Sequence, residues 1–390
     1  CHVNTTGGGG RTELGWSSMN RVGALTYEDM GLTSLHNVES NMFLDSKVAL
    51  GFDLRVQGAR LGNPTLDESQ TPPKTMVPEV TFFPMQVQPY LTIKPIDEVS
   101  IYGTYLPGPE TRESGKLCDP VFPGTACYEG FVLYEPAGIW PTVRAGVFQP
   151  AIGIRHDDHT LFIRGDARDR RRPIIPPNYA DPGFEVLIQP VTWFRTELGG
   201  FLPYGLDDSL NQATETAKLD TLAYNARLTF LPYIKIPIGK AEASDNFDDD
   251  FDDDFGDENA ASADYVINSW FGASTYSSGD FHMINGFIGL GIHEGVAFVA
   301  EMSHTQRTIE YETQNAWVGL WYTPIDWITA AFRVENAQTF TENSTDKTKS
   351  YVGGLEFFPI PYVEVRPEYR LVETSSYRFG QATIQIHLFY

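Results

Sequence analysis

From Lys47 onward the chain places an apolar residue at every second position. Val48, Leu50, Phe52, Leu54 and Val56 interleave with Lys47, Gly51, Asp53, Arg55 and Gln57. A period of two sends successive side chains to opposite faces of an extended strand, so one face is apolar and the other polar and charged. The pattern returns in Leu222, Tyr224, Ala226, Leu228 and Phe230 against Asn225, Arg227 and Thr229. It returns again in Met85, Val87, Leu91 and Ile93 against Gln86, Gln88, Thr92 and Lys94. In a soluble sandwich the charged face meets bulk water. In a membrane barrel it meets a wet lumen while the apolar face meets lipid. A helical membrane protein is excluded, because the chain has no apolar run near the ~18 residues a spanning helix needs.

The punctuation between the alternating runs favours the barrel. One set of hairpins is short and marked by proline or aromatic residues: Lys94–Asp97, Gln189–Val191, Ile292–Gly295, Thr323–Trp327 and Phe358–Tyr362. The other set, at 62–75, 106–128, 151–180, 203–218 and 338–348, is longer and polar. The two sets alternate along the chain, as tight periplasmic turns and larger outer loops do in transmembrane barrels. Walking the parity gives an all-β, antiparallel, up-and-down barrel of about 16 strands with both termini in the periplasm. Trp140, Trp193, Trp321 and Trp327 lie near the short turns, where an aromatic girdle would sit. The expected organisation is an N-terminal periplasmic or plug segment over 1–46, then a bacterial outer-membrane barrel over 47–390 with an acidic periplasmic insert near 241–263.

At the C-terminus, Ala382, Ile384, Ile386, Leu388 and Tyr390 form one face, and Gln381, Thr383, Gln385, His387 and Phe389 the other. This ending resembles the C-terminal signal of outer-membrane β-barrels, with Tyr390 where the family usually has Phe. The resemblance implies insertion by the barrel-assembly machinery into a bilayer bearing lipopolysaccharide.

The first residues, Cys1-His2-Val3-Asn4-Thr5-Thr6-Gly7-Gly8-Gly9, resemble the tail of a c-type haem attachment motif, Cys-x-x-Cys-His, continuing Val-Asn-Pro-Thr-Gly-Gly-Gly. Thr5 replaces the proline. That run is associated with porin-like outer-membrane barrels of multihaem cytochrome electron conduits. The resemblance implies that Cys1 is a thioether cysteine, His2 an axial iron ligand, haem c the cofactor and a multihaem c-type cytochrome the partner. Two other readings stand beside it: a lipid-modified N-terminal cysteine, and an arbitrary start point.

Three further segments carry candidate sites. Cys118 and Cys127 lie nine apart in an outer loop, and an oxidising compartment favours a disulfide between them. Arg155, His156, Asp157, Asp158 and His159, followed by Arg164, Arg168 and Arg170, suit a loop folded into the lumen as a charged constriction. The same residues also suit a solvated outer loop or a metal site, and the Arg-Gly-Asp at 164–166 reads as incidental. Residues 245–258 hold nine acidic residues in fourteen, with Phe247, Phe251 and Phe255 at intervals of four. The alternatives there are a self-repelling disordered loop, a docking strip for a basic periplasmic partner, or a Ca²⁺ loop using Asp248, Asp250, Asp252 and Asp254.

No Gly-x-Ser-x-Gly, His-Glu-x-x-His or phosphate loop occurs, so an enzyme is not expected. A net charge of −23 disfavours nucleic acid as a partner. Two functions follow: a sheath for a transmembrane electron conduit, narrowly preferred on the strength of Cys1-His2, and a passive diffusion porin for small solutes. For the cysteine pair, peptide mapping of unreduced protein should recover residues 118 and 127 in one cross-linked fragment. Alkylation of both without prior reduction would refute the pairing.

Overall fold

The computed structural model describes residues 42–44, 47–61, 65–66, 80–105, 126–154, 163, 165–167, 174–176, 179–211, 217–236, 265–292, 295–308, 311–325, 327–360, 362–375 and 377–389. Sixteen antiparallel strands form the wall. They are β1 (Val48–Leu61), β2 (Val80–Ile96), β3 (Val99–Tyr105), β4 (Tyr128–Tyr134), β5 (Thr142–Phe148), β6 (Asp181–Val191), β7 (Phe194–Phe201) and β8 (Ala223–Phe230, resuming as Tyr233–Ile236). They continue as β9 (Tyr265–Ser278), β10 (Phe281–Ile292), β11 (Val296–Thr308), β12 (Tyr311–Ile325), β13 (Ile328–Thr341), β14 (Thr345–Ile360), β15 (Val363–Thr374) and β16 (Tyr377–Phe389). Each strand pairs with its sequence neighbour. The sheet closes where β16 pairs with β1, from Gln381↔Leu61 to Phe389↔Asp53. Closure satisfies every ladder edge, which a bilayer core demands because lipid offers no hydrogen bonds.

The alternation maps onto the wall as the sequence implies. Leu50, Phe52, Val56, Leu228, Ile384 and Ile386 project outward, whereas Arg55, Gln57, Asn225 and Thr229 are buried inside. In β2 the parity changes partway. Val80 and Phe82 face out, and so do Val87, Leu91 and Ile93 beyond a bulge at Met85, where Arg55 pairs with Gln86 and Val56 with Pro84. The extra residue shifts the alternation by one, and proline's missing N–H is tolerated at such a site.

Both described chain ends lie at the same end of the barrel as the turns at 97–98, 135–141, 192–193, 293–295, 326–327 and 361–362. The opposite end carries the long connections 62–79, 106–127, 149–180 and 202–222. Three expectations need correction. Residues 338–348 are not a long loop: β13 and β14 run through them and only 342–344 form the turn. Gln189–Val191 belongs to β6, and the turn falls on Thr192–Trp193. Trp321 is not a girdle residue, for it stands on the inward face of β12 beside buried Trp317, with ring centroids 6.2 Å apart. Tyr322 and Ile325 face the lipid there instead.

Lipid-facing and bore-facing positions should respond oppositely to the same substitution. Ile384→Arg places a cation against hydrocarbon at a cost of about 2–4 kcal/mol near the midplane. Thr383→Arg points into the bore opposite Glu368, its cross-strand partner. Cold gel electrophoresis should show loss of the compact folded band for Ile384→Arg and its retention for Thr383→Arg.

Candidate functional site

The bore is lined by polar and charged side chains, and segments of the 149–180 connection fold into it. That connection leaves β5 at one side of the wall. Its described parts then attach to strands progressively further round. Ala151 N donates to Glu185 of β6 at 3.0 Å. Gly153 N donates to Ser274 Oγ of β9 at 2.7 Å, and Ile154 N to Glu301 Oε1 of β11 at 3.2 Å. Ser303 Oγ and Asn315 Nδ2 then hold the Ile163 carbonyl at 2.5 and 3.1 Å, and Asn315 also reaches the Gly165 carbonyl at 2.9 Å. Asp166 accepts from Tyr311 Oη and from Thr339 Oγ1 (2.9 Å), with Arg307 at 3.8 Å. Ala167 N donates to Thr339 Oγ1 at 2.9 Å, and Thr348 Oγ1 donates to the Ala167 carbonyl at 3.0 Å. Thr339 is on β13, halfway round the barrel from β5. The connection therefore crosses the bore.

Its root and its tip are held by different forces. Near β5, Ile152, Ile174, Ile175 and Tyr179 join inward-facing Tyr102, Phe131, Phe148 and Phe201, with Leu206 and Leu210, in one apolar cluster. Leu206 and Leu210 come from α1 (Tyr204–Asn211), a helix within the connection read from sequence as a polar loop. Ser209 Oγ donates to the Ile174 carbonyl at 2.7 Å and ties that helix to the crossing segment. Far from β5 the attachments are hydrogen bonds to side chains of the wall. Gly153 has a φ of +50, and a Cβ there would strike Glu301 Oε1 at 1.9 Å. Glycine permits both the backbone conformation and the approach.

The wall behind the crossing is a set of paired charges. Arg144 bonds Glu185 at 2.7 Å and lies 3.9 Å from the Phe148 ring centroid, while Asn225 Nδ2 donates to the same carboxylate. Glu301 accepts from Asn285 Nδ2 at 3.1 Å and Trp317 Nε1 at 3.4 Å. On β13 to β16 and β1 the pairs interlock. Arg333 and Arg370 share Glu335, at 2.6 and 3.8 Å, and Arg370 also meets Glu368 at 3.2 Å. Arg366 lies 3.8 Å from both Glu356 and Glu368. His387 bridges Asp53 and Glu364, each at 3.0 Å, across the seam that closes the barrel. Charges removed from bulk water are tolerable only when paired and hydrogen-bonded in this way.

Most of the site residues named from sequence lie outside the described residues: Cys1, His2, Cys118, Arg155, His156, Asp157, Asp158, His159, Arg164, Arg168, Arg170, Asp248, Asp250, Asp252 and Asp254. Cys127 is described and buried just before β4. Sequence reasoning missed the anchors. Asp166, one of the carboxylates interleaved with the arginines of that segment and not singled out among them, is the tip anchor, and the roles of Glu185 and Glu301 were not seen. The β15 ladder was legible: Glu364, Arg366, Glu368 and Arg370 alternate in sign on one strand face.

No family model matches the chain, and no curated protein matches it. Solved structures do resemble it in fold. The outer membrane channel DcaP of Acinetobacter baumannii matches with a TM-score of 0.56 at 11% identity, over 90% of this chain and 100% of that one. An anion-selective porin from Comamonas acidovorans matches with a TM-score of 0.52 at 10% identity, over 88% and 99% of the two chains. A loop-deleted OmpT, an outer membrane protein of Vibrio cholerae, matches at 0.50 with 10% identity, over 88% and 99%. The chain thus has the porin-like fold of outer-membrane β-barrels.

Proposed function

We propose that this protein is a diffusion channel for small hydrophilic solutes, with the 149–180 connection as its constriction. The observation that carries this reading is the anchorage of Asp166 and Ala167 on the wall opposite β5. A segment fixed across a wet, charged bore narrows it and sets which solutes pass. The short-turn end is assigned to the periplasm by the usual asymmetry of such barrels.

The electron-conduit sheath is the weaker reading. A sheath leaves its bore to the cytochrome, whereas this bore is crossed by the chain's own backbone, and the solved structures of similar fold are channels and porins. What favours a conduit is the Cys1-His2-Val3-Asn4 run alone. A haem-specific stain of the denatured full-length chain decides that point: covalent haem would revive the conduit, and its absence would leave the channel. Pairing of Cys118 with Cys127 remains part of the proposal, supported by the burial and disulfide-bonded state of Cys127.

Planar-bilayer recording of the purified full chain tests the channel. Open, ohmic conductance is expected. Asp166→Ala with Thr339→Val removes the tip anchor, where one hydrogen bond to a charged group contributes roughly 1.5–3 kcal/mol. The variant should retain the folded band on a cold gel and show a larger, noisier conductance. An unchanged conductance would mean that the crossing does not limit flow.

A further inference from the structure

Resting on the channel reading, we propose that the bore carries a saccharide-binding strip, built from Trp270 and Trp321 on the short-turn side of the crossing. Inward positions of a barrel wall are ordinarily polar, yet one row here is small and apolar. Gly289 of β10, Val299 of β11 and Gly319 of β12 are successive cross-strand partners, and Trp270 of β9 pairs with Gly289. One row nearer the short turns, Ala297 and Ala331 flank Trp321. The glycines leave room at the wall, and the indoles fill it. A Cβ at Gly289 would lie 2.1 Å from Trp270 Cε2 and 2.4 Å from both Nε1 and Cζ2. Three contiguous ring atoms at nearly one distance mean that the indole lies face-down on the glycine. At Gly319 the Cβ position is taken by Trp321 Cη2 and Cζ3, at 2.4 and 2.5 Å. Phe287 and Trp317 back these rings, with centroids 5.7 Å from Trp270 and 6.2 Å from Trp321. Those two are buried, at 5% and 2% exposure, whereas Trp270 and Trp321 keep part of their surface open to the bore.

Covering a strand glycine with a ring is a packing device in its own right. Here it also turns the opposite face of the indole towards passing solute. The two rings sit over β10 and β12, two strand spacings or roughly 10 Å apart, with Val299 between them. Two joined sugar rings can reach both, their C–H faces packed on the indoles. A site of this kind needs a few polar groups at its edge to orient the solute, and the short-turn side supplies them. Thr323 Oγ1 and Thr329 Oγ1 lie 2.9 Å apart, and Thr329 pairs across strands with Glu356, which accepts from the Trp321 indole. Hydroxyl and carboxylate oxygens accept hydrogen bonds from sugar hydroxyls. The charges flanking the strip are already paired, Arg333 with Glu335 at 2.6 Å and Arg366 with Glu356 at 3.8 Å. A charged solute would lose hydration there without gaining an unpaired counter-charge, which favours a neutral sugar over an aromatic acid.

The test is block of ion current by sugar, with the full chain in a planar bilayer and each current taken relative to the same channel before addition. Maltose is expected to reduce the current in a saturable way, glucose to do so several-fold more weakly, and sorbitol, an open-chain polyol with no ring face, not to bind. Trp270→Ala and Trp321→Ala should each weaken the maltose block several-fold. Trp270→Phe, which still covers Gly289 but offers a smaller face, should give an intermediate block and serves if the alanine variant lacks the folded band on a cold gel. Equal block by maltose and sorbitol in the native chain, or a maltose block unmoved by these substitutions, would mean that the rings only pack the wall. Either result overturns the strip and leaves the channel standing. Block by benzoate but not by maltose would overturn the saccharide assignment. A native chain with no open conductance would overturn both the strip and the channel.

Discussion

Hydrocarbon cannot accept or donate a hydrogen bond, and the rest of this structure follows from that constraint. A sheet in lipid must close, and it does so where the inward residues of β16 meet those of β1, with His387 clamped between Asp53 and Glu364. Because the outer face must be apolar across the bilayer, strand charges such as Arg55, Arg144, Glu185, Glu301, Arg333 and Glu335 are carried on the inward face. The alternation that begins at Val48 and ends at Phe389 is the sequence form of that sorting.

Driving charge inward creates a second problem, since the bore of a barrel is too narrow to hydrate every group fully. The wall answers by pairing unlike charges along a strand and across to the next strand but one, as in the run Arg333, Glu335, Arg370, Glu368, Arg366. Where a carboxylate lacks enough cationic partners, the crossing connection supplies backbone N–H groups. Ala151 N bonds Glu185, and Ile154 N bonds Glu301. The connection is therefore both obstacle and solvent. It narrows the bore while satisfying groups that water would otherwise have to reach.

Much of the wall was legible because period-two alternation is a local signal. Leu50, Phe52, Leu228 and Ile384 could be assigned to lipid, and Arg55 and Asn225 to the bore, without knowing any contact. Trp321 was misassigned because proximity to a turn does not specify a face, whereas its odd-numbered parity with Tyr311 and Trp317 does. Parity held for Val87, Leu91 and Ile93 and failed only at Met85, where a bulge beside Pro84 shifts the alternation relative to Val80 and Phe82. The site was less legible for a different reason. Asp166 has its role only because Tyr311, Thr339 and Arg307 lie within reach, and those are 145, 173 and 141 positions further along the chain. A contact of that separation leaves no mark in the residues around either partner.

The uneven anchorage of the crossing segment limits what it can do. Its root is an apolar cluster in which Ile152, Ile174, Phe148, Phe201, Leu206 and Leu210 are almost wholly buried. Each such side chain contributes roughly 1.5–3 kcal/mol, and none of that is exchangeable with water. Its tip is held by neutral and charged hydrogen bonds worth about 0.5–3 kcal/mol apiece net, and the partners that make them, Tyr311, Asn315, Thr339 and Thr348, are buried as well. Root and tip are therefore both held away from water, the one by apolar packing and the other by hydrogen bonds. In the proposed channel, a constriction anchored at both edges keeps its charge pattern in place.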